Sequence, residues 1–235
     1  MPPAESRRPA SLPGDDLAEL RAAYLDAILA PEARVARRLV LEAAEAGAPV
    51  ARIYLDVLRP ALHEIGRLWE EAKIGVAQEH LATQITQSVL AELSLSLTGN
   101  EAVGAGRRAL VSCSPGELHV LGGQMVADFL EADGWEVLLL GADVPAGEVA
   151  ALALEHEVEL VALSTALPAH LLAAGVTCAA LRRLPEPPFI VAGGQAYAGD
   201  RRRALAVGAD ELAEDPEGLL RLLAARNAAD GHTAG

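Results

Sequence analysis

Two hydrophobic rhythms divide this chain. From Asp15 to about Leu97 apolar residues recur at three- and four-residue steps, the period of an amphipathic helix. The clearest run, PVARIYLDVLRPALHEIGRLWEE, puts Val50, Ile53, Tyr54, Val57, Leu58, Leu62, Ile65, Leu68 and Trp69 on one broad face. Pro60 should kink that helix, because proline lacks the N–H that a helix interior uses. Asp15 or Asp16 can cap an earlier helix running to about Leu29, and Pro31 suits the first turn of the next, which ends near Gly47. A fourth helix runs from about Val76 to Leu97, with Leu81, Ile85, Val89 and Leu93 as its stripe. Four helices with short connections over 15–98 read as an antiparallel bundle.

The glycine-bearing segment TGNEAVGAGRR, Thr98 to Arg108, reads as a linker, and beyond it the rhythm changes. Short apolar runs, ALVSC, WEVLLLG, LVALST, PFIVAGG and a weaker ADELA, alternate with helical runs beginning near Val120, Ala146, Pro168, Asp200 and Pro216. Apolar strands alternating with helices indicate a parallel sheet covered on both faces. The expected fold is therefore α/β: an N-terminal four-helix bundle, then a flavodoxin-like (Rossmann-like), doubly wound, five-stranded parallel sheet over about 107–228.

Composition narrows the possibilities. Half of the chain is apolar but only 3% is aromatic, so the core must be built from Ala, Leu and Val. No apolar run approaches the roughly 20 residues that a membrane-spanning helix needs. The opening MPPAESRRPASLPGDD has no apolar signal core and reads as a disordered leader over 1–14, which points to a cytoplasmic protein. A formal net charge of −14 argues against direct binding of nucleic acid, which draws on clustered Lys and Arg. The one basic run, DRRRALAVG, is explained by a solvated helix face. Cys113 and Cys178 lack metal-type spacing and read as buried thiols.

The chemistry concentrates where an open parallel sheet binds its ligands, outside the carboxyl ends of the strands. Three unusual segments fall there: SPGELHVLGG after the first strand, STALP after the third and GGQAYAG after the fourth. A strand order of 2-1-3-4-5 would make these ends adjacent. A phospho-accepting receiver would need an acidic cluster after the first strand and an Asp after the third, where this chain has Ser164 and Thr165. A dinucleotide site would need a different glycine spacing and an acidic residue further on. What remains is one imidazole in a glycine-rich turn, small hydroxyls and a glycine pair that admits close approach to the backbone. Taken alone, His119 could equally be a turn residue capping the helix that follows.

Glu117-Leu118-His119-Val120-Leu121-Gly122, then Ser164, then Gly193-Gly194, resembles the signature of cobalamin-binding domains, Asp/Glu-x-His-x-x-Gly, Ser-x-Leu and Gly-Gly. The gaps agree too, with 41 residues between Gly122 and Ser164 and 26 between Ala166 and Gly193. One departure is Ala166, where the family usually has Leu. The resemblance implies that His119 replaces the cofactor's own base as the lower ligand of cobalt, with Glu117 accepting a hydrogen bond from its other ring nitrogen. It also implies that the nucleotide tail passes beside Ser164 and Thr165 and over Gly193-Gly194.

In the helical half, Trp69 is followed after nine residues by Glu79-His80. This resembles the upper-face motif of adenosylcobalamin-dependent photoreceptors of the CarH type. Carried over, the bundle caps the upper face of the corrin, Trp69 packs against adenosyl or corrin, Val76 lines the same pocket, and Glu79 and His80 make polar contacts. The alternative is that Trp69 belongs to the bundle core and that Glu79 and His80 are solvated. Two departures limit the resemblance: only the short leader precedes the bundle, where those receptors carry a helix-turn-helix domain, and Glu70 stands where they have the histidine that takes cobalt's upper position after illumination.

The resemblance thus implies a stand-alone sensor, not an enzyme, that binds adenosylcobalamin, or alternatively methylcobalamin, and signals through self-association or a transcriptional regulator. The rival reading is a corrinoid methyl carrier serving a methyltransferase. A third, the cobalamin subunit of a mutase or a cobalamin reservoir, has no use for a bundle on the same chain.

Overall fold

The computed structural model describes residues 14–98 and 106–233. The expected leader and most of the expected linker lie outside the described residues. The chain divides into two compact units, with the boundary between Ser96 and Leu97.

The first unit is helical: α1 (Gly14–Leu29), α2 (Ala33–Glu45), α3 (Val50–Arg52), a π-helical stretch (Ile53–Leu58), α4 (Arg59–Glu70) and α5 (Val76–Thr98). Pro31 lies before α2 rather than in its first turn: Glu32 N donates to Ala27 O at 2.8 Å and closes the turn after α1. At its other end α2 closes as expected near Gly47, which takes φ +99° while Ala48 N donates to Ala43 O and Gly47 N to Ala44 O. That six-to-one, five-to-two pair needs a left-handed residue, which glycine adopts without penalty. Near Pro60 the irregularity takes the form of a π-helical stretch immediately before α4, whose wider turns accommodate the missing N–H donor. Two buried tyrosines tie this unit together. Tyr24 Oη donates to Thr86 Oγ1 at 2.9 Å, and Tyr54 Oη to Leu90 O at 3.3 Å, so α1 and the π-helical stretch are both fastened to α5. Burial pushes the Tyr24 phenol up to about 12 against the opposing effect of the Thr86 bond, so it stays a neutral donor.

The second unit is a five-stranded, all-parallel sheet in the order β2-β1-β3-β4-β5. Its strands are β1 (Arg108–Cys113), β2 (Glu136–Gly141), β3 (Leu160–Ser164), β4 (Phe189–Gly193) and β5 (Glu211–Ala213). They alternate with α6 (Leu121–Ala132), α7 (Ala146–Glu155), α8 (Leu171–Leu181), α9 (Arg201–Ala206) and α10 (Pro216–Thr233). Side-chain alternation splits the core into two layers. Leu110, Val161, Leu163, Ile190 and Ala192 pack with Val149, Ala174, Cys178 and Ala204 of α7, α8 and α9. Ala109, Val111, Leu160, Ala162 and Val191 pack with Ala127, Leu130, Leu219 and Leu223 of α6 and α10. This is the doubly wound α/β fold that the pattern predicted. The chain reverses direction across the sheet between β1 and β3, and Ser112 pairs with Leu163 and Leu163 with Ala192. The loops after β1, β3 and β4 therefore emerge side by side.

Both cysteines are buried and free, and burial pushes the thiols up to about 12 for Cys113 and about 11 for Cys178. The basic run is a capped, paired helix face: Asp200 Oδ1 accepts from Arg202 N at 2.9 Å, and Arg201 pairs with Glu211. Among the described residues, no helix is long and apolar enough to cross a membrane.

Candidate functional site

The site is built on the loop between β1 and α6. Ser114 N continues the strand pairing by donating to Ser164 O at 3.0 Å, and Glu117 N then turns back onto Ser114 O at 2.9 Å. The turn requires φ +83° at Gly116, whose N donates to Asp143 Oδ1 at 2.7 Å. Asp143 N in turn donates to Glu117 O at 3.2 Å, so the loop after β2 braces the loop after β1. Asp143 had no visible signal in the sequence.

The centre of the site is Glu117, whose side chain is 0% exposed. Oε2 accepts from Ala166 N at 2.9 Å, from Leu167 N at 3.0 Å and from His170 Nδ1 at 3.0 Å. Oε1 accepts from His119 N at 3.0 Å and lies 2.5 Å from His119 Nδ1. Burial alone would raise the carboxyl's pKa. The donors from His119, His170 and the backbone outweigh it and hold the group well below the usual carboxylate range. An ionised carboxylate only accepts, so both imidazoles must turn a protonated Nδ1 toward it. In neutral His119 that leaves the lone pair on Nε2, the form a metal ion binds. The His119 side chain is 49% exposed, and its Nδ1 faces Glu117 Oε1.

Neighbouring loops complete the wall. Gly122 stands where a Cβ would lie 3.7 Å from Ser164 Oγ, so these two predicted residues are brought together. Thr165 is buried: its Oγ1 lies 2.7 Å from Ser114 Oγ and 3.3 Å from Tyr197 Oη, a hydroxyl chain linking the loops after β1, β3 and β4. Gly194 has φ +106°, and a Cβ there would lie 2.3 Å from Thr165 O; at Gly193 it would meet Ala213 O at 3.1 Å. Gly194 is thus demanded by the protein's own backbone, and Gly193 fits tightly against Ala213 O, whatever else passes over them.

His170 went unnoticed in the sequence. It closes the short 3-10 turn Pro168–His170, its N donating to Leu167 O at 3.0 Å. The available signal was weak, a lone histidine six residues after Ser164 in the same loop.

In the helical unit, Trp69 lies one residue from the end of α4 and is 41% exposed, so it is not bundle core. Val76 begins α5 and is 55% exposed. Glu79 Oε1 accepts from Thr83 Oγ1 at 2.9 Å, while Oε2 pairs with Nδ1 of the exposed His80. These four residues occupy the corner between α4 and α5.

The donor set suits one kind of metal ligand more than a metal-binding cluster. Among the described residues no group of three or more His, Cys, Asp or Glu could hold an ion. Instead one half-exposed imidazole, that of His119, is oriented by a buried carboxylate, as a metal-ligating histidine commonly is. The fold and this loop define a B12-binding protein, and the chain belongs to that family. Residues 20–94 match one B12 binding domain and residues 107–223 a second, one on each unit.

The chain is 34% identical over 126 residues to the HTH-type transcriptional repressor CarH of Myxococcus xanthus, covering 54% of this chain and 41% of that protein. It is also 31% identical over 130 residues to monomethylamine corrinoid protein 2 of Methanosarcina acetivorans, covering 54% of this chain and 58% of that one. Each match spans less than two thirds of the relative. The solved monomethylamine corrinoid protein of Methanosarcina barkeri shares the fold, with a TM-score of 0.76 over 87% of this chain and 97% of that one at 24% identity.

Proposed function

We propose that this protein is a cobalamin-dependent sensor, with light as its stimulus and adenosylcobalamin as its native cofactor. The observation that carries the cobalamin part is the Glu117–His119 pair, a buried ionised carboxylate holding the Nδ1–H of an exposed imidazole. His119 Nε2 would be the lower ligand of cobalt. Gly122, Ser164 and Thr165 would border the path of the nucleotide tail, and Gly193-Gly194 would keep it clear of side chains. When bound, the cofactor supplies a cobalt–carbon bond that light can break.

The sensor part draws on the exposed corner between α4 and α5. A tryptophan left 41% exposed at a helix end suits a flat apolar partner, which Trp69 would cover together with Val76. Glu79 and His80 would supply the polar contacts beside it. Loss of the adenosyl group would remove what Trp69 packs against, a local change with a global readout. That readout would be changed self-association or changed binding to a transcriptional regulator, in line with the similarity to a transcriptional repressor. In this reading the chain binds and signals without catalysing a reaction.

The second reading is a corrinoid methyl carrier, favoured by the 31% identity to a monomethylamine corrinoid protein. A carrier must leave the upper face open to a methyltransferase, whereas a sensor covers it. The protein should be loaded with adenosylcobalamin in the dark, and its absorption spectrum and elution volume recorded before and after green light. A light-driven change in both supports the sensor. A changed spectrum with an unchanged elution volume, and binding of methylcobalamin tighter than adenosylcobalamin, would support the carrier.

A further inference from the structure

We propose that the outer face of the helical layer formed by α7, α8 and α9 is an interface between two copies of this chain, related by a two-fold axis that runs along α8. The inference goes beyond the cofactor and the sensor reading: every residue it uses lies on the second unit, and none is a candidate cobalamin-binding residue.

These helices cover one side of the sheet. Each returns the chain from the end of one parallel strand to the start of another, so all three run in the same direction, with α8 between α7 and α9. Val149 of α7, Ala174 and Cys178 of α8 and Ala204 of α9 share one core. What α8 turns away from that core is unusual. Its sequence, LLAAGVTCAAL, has no charged residue, and its outward positions are Leu172, 83% exposed, Val176, 56% exposed, and Ala179, at steps of four and three residues. A surface helix normally turns charged or polar side chains to water. Leu154 of α7 and Leu205 of α9 are exposed on either side of it.

The charges beside the apolar helix identify its occupant. α7, AGEVAALALE, carries acids and no base, with Glu148 and Glu155 exposed, whereas α9, RRRALA, carries bases and no acid. Within α9, Arg201 is held by Glu211 and Arg203 donates to Ala196 O, while the exposed Arg202 side chain has no such partner among the described residues. The face is therefore three stripes, acidic, apolar and basic. A two-fold axis along the middle stripe lays α8 on α8, exchanges left for right and keeps each residue at its height along the helices. Glu148 in the first turn of α7 then meets Arg202 in the first turn of α9 of the second copy, and symmetry repeats the contact. An axis across the helices would set α7 on α7, acid against acid. For a chain of net charge −14, an uncharged stripe between complementary ones is where two copies meet with least repulsion. At the usual helix spacing and rise the face offers roughly 400 Å² per copy, about half of a standard interface, so the dimer is weak and reversible.

The test is sedimentation equilibrium of the cofactor-free full chain, at concentrations up to about 1 mM, where weak contacts register. Wild type should show a reversible monomer–dimer equilibrium that weakens between about 50 and 500 mM salt, because the flanking charges are exposed. Val176→Glu sets two like charges beside the axis and should weaken association more than about tenfold. Glu148→Arg and Arg202→Glu, each alone, replace two symmetry-related attractions with two repulsions and should each weaken it about tenfold. The double variant Glu148→Arg/Arg202→Glu restores opposite charges across the axis and should recover wild-type association. All three positions are exposed, and far-UV circular dichroism of each variant verifies that it is folded.

A wild type that stays monomeric overturns the proposal, and amide shifts along α8 on removal of residues 1–13 would then assign the face to the opening segment of the chain. A dimer that Val176→Glu leaves intact overturns it as well, since the copies would meet elsewhere. Stronger association in Glu148→Arg alone would overturn the axis along α8 in favour of one across the helices. With no cobalamin in the sample, none of these outcomes depends on the functional reading.

Discussion

Glu117 Oε2 lies 3.0 Å from the backbone nitrogen of Leu167, so a carboxylate supplied by the loop after β1 is held by the loop after β3. The bond crosses the point where the chain reverses its direction over the sheet, which is where this fold places its ligands. It makes the orientation of His119 a property of two loops rather than of one.

Glu117→Gln should destabilise the protein by on the order of 3 kcal/mol. A glutamine amide turned either way points an NH2 at buried N–H donors and leaves them unpaired, at about 1–3 kcal/mol for each such group. Urea unfolding near neutral pH measures this. An unchanged midpoint would mean that the carboxylate's charge contributes nothing.

The same residue predicts an acid response. Its carboxyl is held low in the folded state, so its stabilisation is complete above the unfolded glutamate value of about 4.3. It is lost progressively as pH falls below that value toward the folded pKa, because only the unfolded chain takes up the proton there. The wild-type urea midpoint should therefore fall more steeply below about pH 4.3 than that of Glu117→Gln. Parallel curves would assign the acid sensitivity to other groups.

Gly194→Ala should destabilise by more than about 2 kcal/mol, since a side chain at φ +106° is strained and its Cβ would lie 2.3 Å from Thr165 O. Gly193→Ala, with its nearest atom at 3.1 Å, should be milder. Thermal unfolding of the two variants side by side tests the order. Equal effects would mean that the loop after β4 gives way easily.

His119→Ala should abolish histidine coordination of bound cobalt, because alanine has no lone pair. The EPR spectrum of the cob(II)alamin form should lose the signature of an imidazole nitrogen, most cleanly with 15N-labelled histidine in the protein. Retention of that signature would place the ligand elsewhere.

Trp69→Ala should weaken adenosylcobalamin binding by more than tenfold, or about 1.4 kcal/mol, and methylcobalamin binding much less. Because Trp69 is 41% exposed, the stability of the cofactor-free protein should change little. Paired titrations in the dark, with each cofactor, decide it. Equal losses for both forms would reduce Trp69 to a general contact.

Local patterns carried most of this architecture. A period near 3.6 marked α1, α2, α4 and α5, and short apolar runs between turn residues marked all five strands, because both arise from the geometry of one element against one core. The glutamate-to-histidine step was legible for the same reason: Glu117 and His119 are two residues apart and meet within one turn. Tertiary structure decided what distant residues do to them. His170 reaches Glu117 across 53 positions, Asp143 reaches Gly116 across 27 and Thr165 reaches Ser114 across 51. No periodicity encodes such meetings, since they exist only once parallel strands lie in register and their loops emerge side by side. The glycine pair is the clearest instance: the sequence marks a place without side chains, and the folded backbone shows that Thr165 already fills the space beside Gly194.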